Sequence, residues 1–353
     1  MSGGLPPTVI AGPSVWVGSQ LAKKRNQWHS RWSNNEIKHL EHAAENFISS
    51  SFELADISKD NFPLPLIENR FKNLQQKLIS GVGFELISGL PIEKYSIEET
   101  TTIFCGIGSH LGRARSQNSS GHILGHVLDT GANVKDKNTR VYQTSERQSF
   151  HTDSSDVVAL FCLHTAKEGG KSLLVSTETI YNEMNRIRPD LTPLLFEPIA
   201  TDRRGEIPEG EKPYFKIPVL NWHQGLLTGM YQRQYIDSAQ RFSDVLQLTD
   251  KHIEALDLFD NLANDPRLYI SMQLEPGDLQ FVYNHSQLHD RTAFTDWPEP
   301  RKRRHLLRLW LSMADDRPLP YYFKERFGSI EIGNRGGIVT PDTTLNIPLR
   351  PRS

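Results

Sequence analysis

Seven consecutive apolar residues, Val157-Val158-Ala159-Leu160-Phe161-Cys162-Leu163, leave this chain little choice but a strand at that point. The run is entered through Gln148-Ser149-Phe150-His151-Thr152-Asp153-Ser154-Ser155-Asp156. A strand sends alternate side chains to one face, so His151 and Asp153 are expected to point together into one site. An imidazole and a carboxylate placed that way are two of the three ligands of a 2-His-1-carboxylate metal site, which leaves three positions open. The pair alone is weak evidence. Among thirteen histidines the same spacing occurs three times, as His39/Glu41, His151/Asp153 and His252/Glu254. The outer two lie in stretches of helical periodicity, where residues two apart face away from each other. Only the middle pair stands at the mouth of a strand, and a surface His–Asp hydrogen bond fits it as well as a metal does.

The third ligand has to come from elsewhere. Far downstream the chain reads Leu274-Glu275-Pro276-Gly277-Asp278, which is turn chemistry, then an alternating segment from Leu279 to Tyr283, then Asn284-His285-Ser286-Gln287-Leu288-His289. Beyond it, Arg304-His305-Leu306-Leu307-Arg308-Leu309-Trp310-Leu311 places Leu307, Leu309 and Leu311 on one face. The order His-x-Asp, long interval, His, then Arg-x-x-x-Arg resembles the Fe(II)/2-oxoglutarate-dependent dioxygenases, and more narrowly their TauD/TfdA branch, of the clavaminate synthase-like kind. The likeness is dense from His151 to Arg308 and thinner at Gly81-Val82-Gly83-Phe84 through Gly89-Leu90-Pro91.

The resemblance implies that His151, Asp153 and His289 hold iron, and that Asn284 is the asparagine preceding the distal histidine. It implies that Arg304 grips the far carboxylate of 2-oxoglutarate. Ser172, in Gly169-Gly170-Lys171-Ser172, stands where the family has threonine and keeps the hydroxyl for that carboxylate. Arg308, four on from Arg304, either joins the same clasp or meets an acidic group on the substrate. Fe(II), 2-oxoglutarate and O2 follow as cofactors, with succinate and CO2 released while a substrate C–H is hydroxylated, desaturated or closed into a ring. Asp153 fills the position that halogenases of this class leave for halide, which disfavours halogenation.

The rest of the chain is consistent with a mainly β fold with flanking helices, built on a double-stranded β-helix (jelly roll, cupin-like) core. At 353 residues it can bury a substantial core. Residues 1–30, rich in Gly, Pro and Ser, read as an irregular arm. Residues 31–353 read as one domain: a helical and strand flank to 125, the jelly-roll core over 126–315 and a C-terminal extension over 316–353. Capping boxes at Ser33/Glu36 and Ser96/Glu99 open two helices, and helical spacing marks others from Leu66 to Ser80, from Ile180 to Ile187 and over Asp250–Ala263. Strands are expected at Ser51–Ile57, Phe84–Ser88, Thr139–Thr144, Ser172–Ser176, Leu194–Thr201, Phe215–Leu220, Leu226–Tyr231, Tyr269–Leu274 and His305–Met313.

A formal net charge of −2 gives no electrostatic reason to expect nucleic acid or an anionic membrane. With no apolar run of spanning length and two cysteines among apolar neighbours, a soluble cytoplasmic protein with buried free thiols is expected. Homo-oligomerisation is left open. Arg147, Gln143, Phe150, Gln117, Asn118 and Arg308 are the candidate substrate wall, and their polarity points to a small carboxylate- or amino-acid-type molecule. His285 rivals His289 as the distal ligand on geometry; the spacing from Asn284 favours His289. Two other classes compete: a non-catalytic jelly-roll binding protein, and a zinc hydrolase on the same three ligands.

Overall fold

The computed structural model describes residues 6–132, 140–340 and 343–351. Two sheets face each other. The larger runs in the order His29–Arg31, Phe84–Ser88, Leu279–Tyr283, Val157–His164, His305–Met313 and Gly112–Arg115, with Leu124–Val127 also paired to His305–Met313. The smaller runs Ile270–Met272, Ser172–Ser176, Gln287–Arg291, Gln148–His151. Every pair within the two sheets is antiparallel except the first, His29–Arg31 with Phe84–Ser88.

Period-two alternation sorts the apolar residues into three layers. Val157, Ala159, Phe161, Leu163, Leu307, Leu309 and Leu311 face outward, under the helices Asn34–Ile48, Glu68–Ser80 and Ile97–Ser109. Both expected capping boxes close, Ser33 with Glu36 and Ser96 with Glu99. On the other outer face, Phe150, Leu173, Val175 and Leu288 pack against the helices Thr177–Ile187 and Asp250–Ala263. Between the sheets lie Phe84, Leu86, Val158, Cys162, Leu174, Met272, Val282, Leu306 and Trp310. Each large apolar side chain buried this way contributes about 1.5–3 kcal/mol. Helices thus cover both outer faces, and the gap between the sheets is free to hold a site. Both cysteines are buried free thiols.

Four expectations change. The stretch Ser51–Ile57 forms no strand but a turn of 3-10 helix over Leu54–Asp56, because His29–Arg31 already occupies the edge beside Phe84–Ser88. That same strand, with a short helix at Gly18–Leu21, shows that the first thirty residues are not irregular throughout. Their composition concealed two anchors: Trp16, whose indole N–H donates to the Val82 carbonyl at 2.9 Å, and Trp28, which donates to Leu21 O at 3.1 Å. Leu194–Thr201 divides into a 3-10 turn, Thr192–Phe196, and a strand, Ile199–Asp202. The segment expected as a strand and loop from Thr139 begins outside the described residues, and its described part contains a 3-10 turn, Val141–Gln143, in place of a strand. Among the described residues no helix is long and apolar enough to cross a membrane.

Candidate active site

Antiparallel pairing brings the two imidazoles together. His289 lies directly across from His151 in the smaller sheet, and the ring centroids are 4.1 Å apart. Asp153 arrives differently from expectation. The strand stops at His151, because the Thr152 N–H bonds to Tyr231 O and the Asp153 N–H bonds to the Asn284 side-chain oxygen at 3.1 Å. The Asn284 amide also donates to Ser155 O at 2.9 Å, so one asparagine braces the bend that carries the carboxylate. Asp153 Oδ1 then sits 3.8 Å from His151 Nε2, and Oδ2 sits 3.7 Å from His289 Nε2.

The donor chemistry suits a divalent metal. His151 Nδ1 lies 2.8 Å from the Ser149 carbonyl, which places the proton there and leaves on Nε2 a lone pair that the Gln148 amide meets at 3.0 Å. Burial, with His289 beside it, pushes the His151 pKa down to about 3, so the ring is neutral at working pH. Burial alone would raise the Asp153 carboxyl, but Arg308 and His289 hold it well below the usual carboxylate range. One carboxylate oxygen and two imidazole nitrogens therefore converge on one point, the donor set of a 2-His-1-carboxylate site.

The cavity around them has two lobes that meet at Tyr142, Gln148, Asp153 and Arg308. The first contains both imidazoles, Ser172, Arg291 and Arg304. Arg304 is 5% exposed and its Nη1 has no hydrogen-bond partner. Leaving a buried donor unmade costs about 1–3 kcal/mol, and more for a charged group, so the arrangement calls for an anion. Desolvation pulls Arg304 down to about 10 and, with Arg304 nearby, Arg291 down to about 9. The Gly169-Gly170 turn makes room for this guanidinium: Gly170 has φ +68°, and a Cβ there would stand 2.9 Å from Arg304 Nε. Ser172 is buried beside it and donates to Gln280 Oε1 at 2.9 Å.

The remaining sequence candidates scatter. Arg308 lines both lobes; its guanidinium lies over Tyr142 and Trp310, at 4.7 and 5.0 Å from the ring centroids. Gln117 stands behind it, accepting from Arg308 Nε at 2.6 Å, and lines neither lobe. Asn118 closes a turn onto His122. Gln143 accepts from the Arg140 N–H. Phe150 is packed in the outer core, on the strand face away from the cavity. Arg147 is engaged by Asp290, at 2.6 and 2.9 Å to one oxygen. His285 is not in the trio; it hydrogen-bonds Asp156 at 2.8 Å in a separate buried cluster. Sequence reasoning passed over Arg291, Gln148, Tyr142 and Arg326. Arg291 was within reach of the period-two rule, since it stands two residues beyond His289 on one strand.

The model of the "Taurine catabolism dioxygenase TauD, TfdA family" matches residues 50–310 of the chain. The chain belongs to that family of dioxygenases. The dioxygenase is 31% identical over 317 residues to "FR-33289 synthase" of Streptomyces rubellomurinus, covering 88% of this chain and 92% of the relative. It is 31% identical over 312 residues to "Taurine hydroxylase-like protein SAT17" of Stachybotrys chartarum, covering 86% and 79%. Among solved structures it shares a fold with an asparagine oxygenase bound to Fe(II), 3-hydroxyasparagine and succinate, at TM-score 0.63 and 14% identity, over 80% of this chain and 93% of that one. The oxygenase OrfP with Fe and alpha-ketoglutaric acid matches at TM-score 0.59 and 12% identity, again over 80% and 93%. The dioxygenase thus takes iron and 2-oxoglutarate as cofactors and uses dioxygen, on the mainly β core described above.

Proposed function

We propose that this dioxygenase oxidises an unactivated C–H bond of a small, polar, anionic molecule, by hydroxylation or by desaturation or ring closure, and converts 2-oxoglutarate to succinate and CO2. The observation that carries the reading is the pairing, in one lobe, of the His151–Asp153–His289 trio with the buried, unpartnered Arg304. Iron held by that trio supplies the redox chemistry that activates dioxygen. The chain's own residues do the positioning. Arg304 presents a planar fork to the far carboxylate of 2-oxoglutarate, with Ser172 and Arg291 beside it. Val158, Leu160, Leu274 and Leu306 line the same lobe and exclude water. Arg308, on the boundary of the second lobe, faces an acidic group of the substrate.

Small polar substrates are consistent with the relatives. One is an asparagine oxygenase, and OrfP has been solved in complex with (3S)-hydroxy-L-Arg. A uridine-5′-phosphate dioxygenase of a Streptomyces species is 26% identical over 50% of this chain. The test is to supply iron, ascorbate and 2-oxoglutarate under air and measure succinate and CO2, with and without candidate amino acids and carboxylates. Oxygen-dependent succinate formation supports the reading. Hydrolysis that proceeds with zinc and without oxygen points instead to a hydrolase, and no turnover at all to a binding protein.

A further inference from the structure

The second lobe is lined by Arg308, Trp310, Gln232, Tyr235 and Gln148, and by Arg326 from the C-terminal extension. Arg326 has no role in the chemistry proposed so far. It is half-buried, its Nε donates to Ser154 Oγ at 2.7 Å, and its guanidinium lies over Phe215. Among the described residues no carboxylate forms an ion pair with it. The arginines nearby direct their own ion pairs elsewhere: Arg140 binds Glu206, and Arg203 reaches Glu211 at 3.5 Å. Arg308 has one acidic neighbour, Asp153 at 3.5 Å, and that carboxylate belongs to the metal trio. Desolvation, with Arg140 adding to it, pulls the Arg326 pKa down to about 10, so the cation is held at a cost.

Buried charges persist when something pairs with them. Of the three guanidinium groups on the lobe Arg140 is paired with Glu206, and among the described residues Arg308 and Arg326 have no counter-charge there but a metal ligand. Among the described residues the lobe has no carboxylate besides Asp153 that could receive an ammonium. Asp290, the other acid of the site, lies in the first lobe and is engaged by Arg147. A zwitterionic amino acid would leave its ammonium unmatched here, whereas a single group bearing two negative charges would satisfy both arginines.

From this we infer that Arg308 and Arg326 form a subsite for a doubly charged tetrahedral oxyanion, a phosphoryl or phosphonyl group, on the substrate. The subsite rests on the oxygenase reading, since it assigns the half of that cavity which 2-oxoglutarate does not fill. It makes Arg326 a specificity-determining residue supplied by the C-terminal extension.

The test is calorimetric titration of the iron- and 2-oxoglutarate-loaded protein without oxygen. The probes are methylphosphonate above its second ionisation, methanesulfonate (the same shape with one charge) and glycine (a zwitterion). The expected order is methylphosphonate tightest, methanesulfonate weaker, glycine without measurable heat. Arg326→Gln should weaken methylphosphonate about ten- to hundredfold, as the loss of a charge-assisted contact does, and Arg326→Lys should recover part of it. A 2-oxoglutarate titration of each variant shows that it is folded and loaded. Glycine binding as tightly as methylphosphonate overturns the subsite. So does methylphosphonate affinity that Arg326→Gln leaves unchanged, which is direct coordination to the metal. Failure of the parent protein to bind 2-oxoglutarate overturns the oxygenase reading, and the subsite with it.

Discussion

Two buried clusters of histidine and aspartate lie side by side among the described residues, sharing the stretches 151–156 and 285–289, with Asp316 added to the second. His151, Asp153 and His289 form one; Asp156, His285 and Asp316 form the other. Ligand type and spacing do not tell them apart, since either set could hold a metal ion. Their neighbours do. In the second cluster Arg335, wholly buried, donates to Asp156 at 2.7 Å and to Asp316 at 2.8 Å. Asp156 Oδ2 also accepts from the Met313 N–H at 2.9 Å, and Asp316 accepts from Tyr283 and from the Arg317 N–H. Its lone pairs are spent. In the first cluster Asp153 and His289 line the cavity, the Trp310 indole N–H donates to Asp153 Oδ2 at 2.7 Å, and the nearest cation, Arg308, stands back at 3.5 Å. A metal site differs from a salt-bridge network in whether a cation of the protein already occupies the centre.

The sharpest way to break this contrast is to remove one histidine from each cluster. His289→Ala should abolish iron binding and succinate formation with little change in the urea midpoint. His285→Ala should keep the iron stoichiometry and lower the midpoint. Equal iron loss in both variants would show the clusters to be one functional unit. Next in size, Arg335→Ala leaves Asp156 and Asp316 uncompensated and should cost about 3–5 kcal/mol in equilibrium unfolding, as breaking a buried pair does. Arg304→Lys should raise the 2-oxoglutarate requirement about tenfold or more, since a point charge cannot reproduce the fork, with a melting temperature near that of the parent. Asn284→Ala releases the brace on Asp153 and should weaken iron about tenfold, as loss of a partner behind a ligand does, read by chelator competition.

The most gradual expected effect is on pH. Burial, with His126 nearby, pushes His305 down to about 3 from 6.5, and burial does the same to His151. A histidine with a depressed folded pKa adds stability that is present above pH 6.5 and is lost as the pH falls toward 3. The apoprotein's urea midpoint should therefore decline on acidification through that window. His305→Gln should flatten part of the decline.

Much of this was legible in the residues. The strands Leu279–Tyr283 and His305–Met313 and the helix Asp250–Ala263 have the bounds that alternation and helical spacing give, because there local pattern and tertiary burial agree. The trio was legible through the resemblance that the His-x-Asp, distal His and Arg-x-x-x-Arg order carries, since local geometry left His285 a rival to His289. What stayed hidden was held by long-range contacts. Nothing local marks Ser51–Ile57 as lacking a sheet edge. Phe150 and Asn118 carry wall-like chemistry, yet strand parity turns one into the core and a turn engages the other. Arg326 and Arg335 stand in a Pro- and Gly-rich extension with no periodicity, and only the folded chain brings them to the cavity and to Asp156.

That extension reaches back to the bend at residues 152–156: the Gly337 N–H bonds to Ser154 O at 2.7 Å, and Arg335 backs Asp156. A growing polypeptide still on the ribosome presents His151 and Asp153 long before their mooring is synthesised. If the trio holds iron, the bend that carries Asp153 would be fixed only in the finished molecule, and a protease nick near residue 335 would loosen that bend while sparing all three side chains.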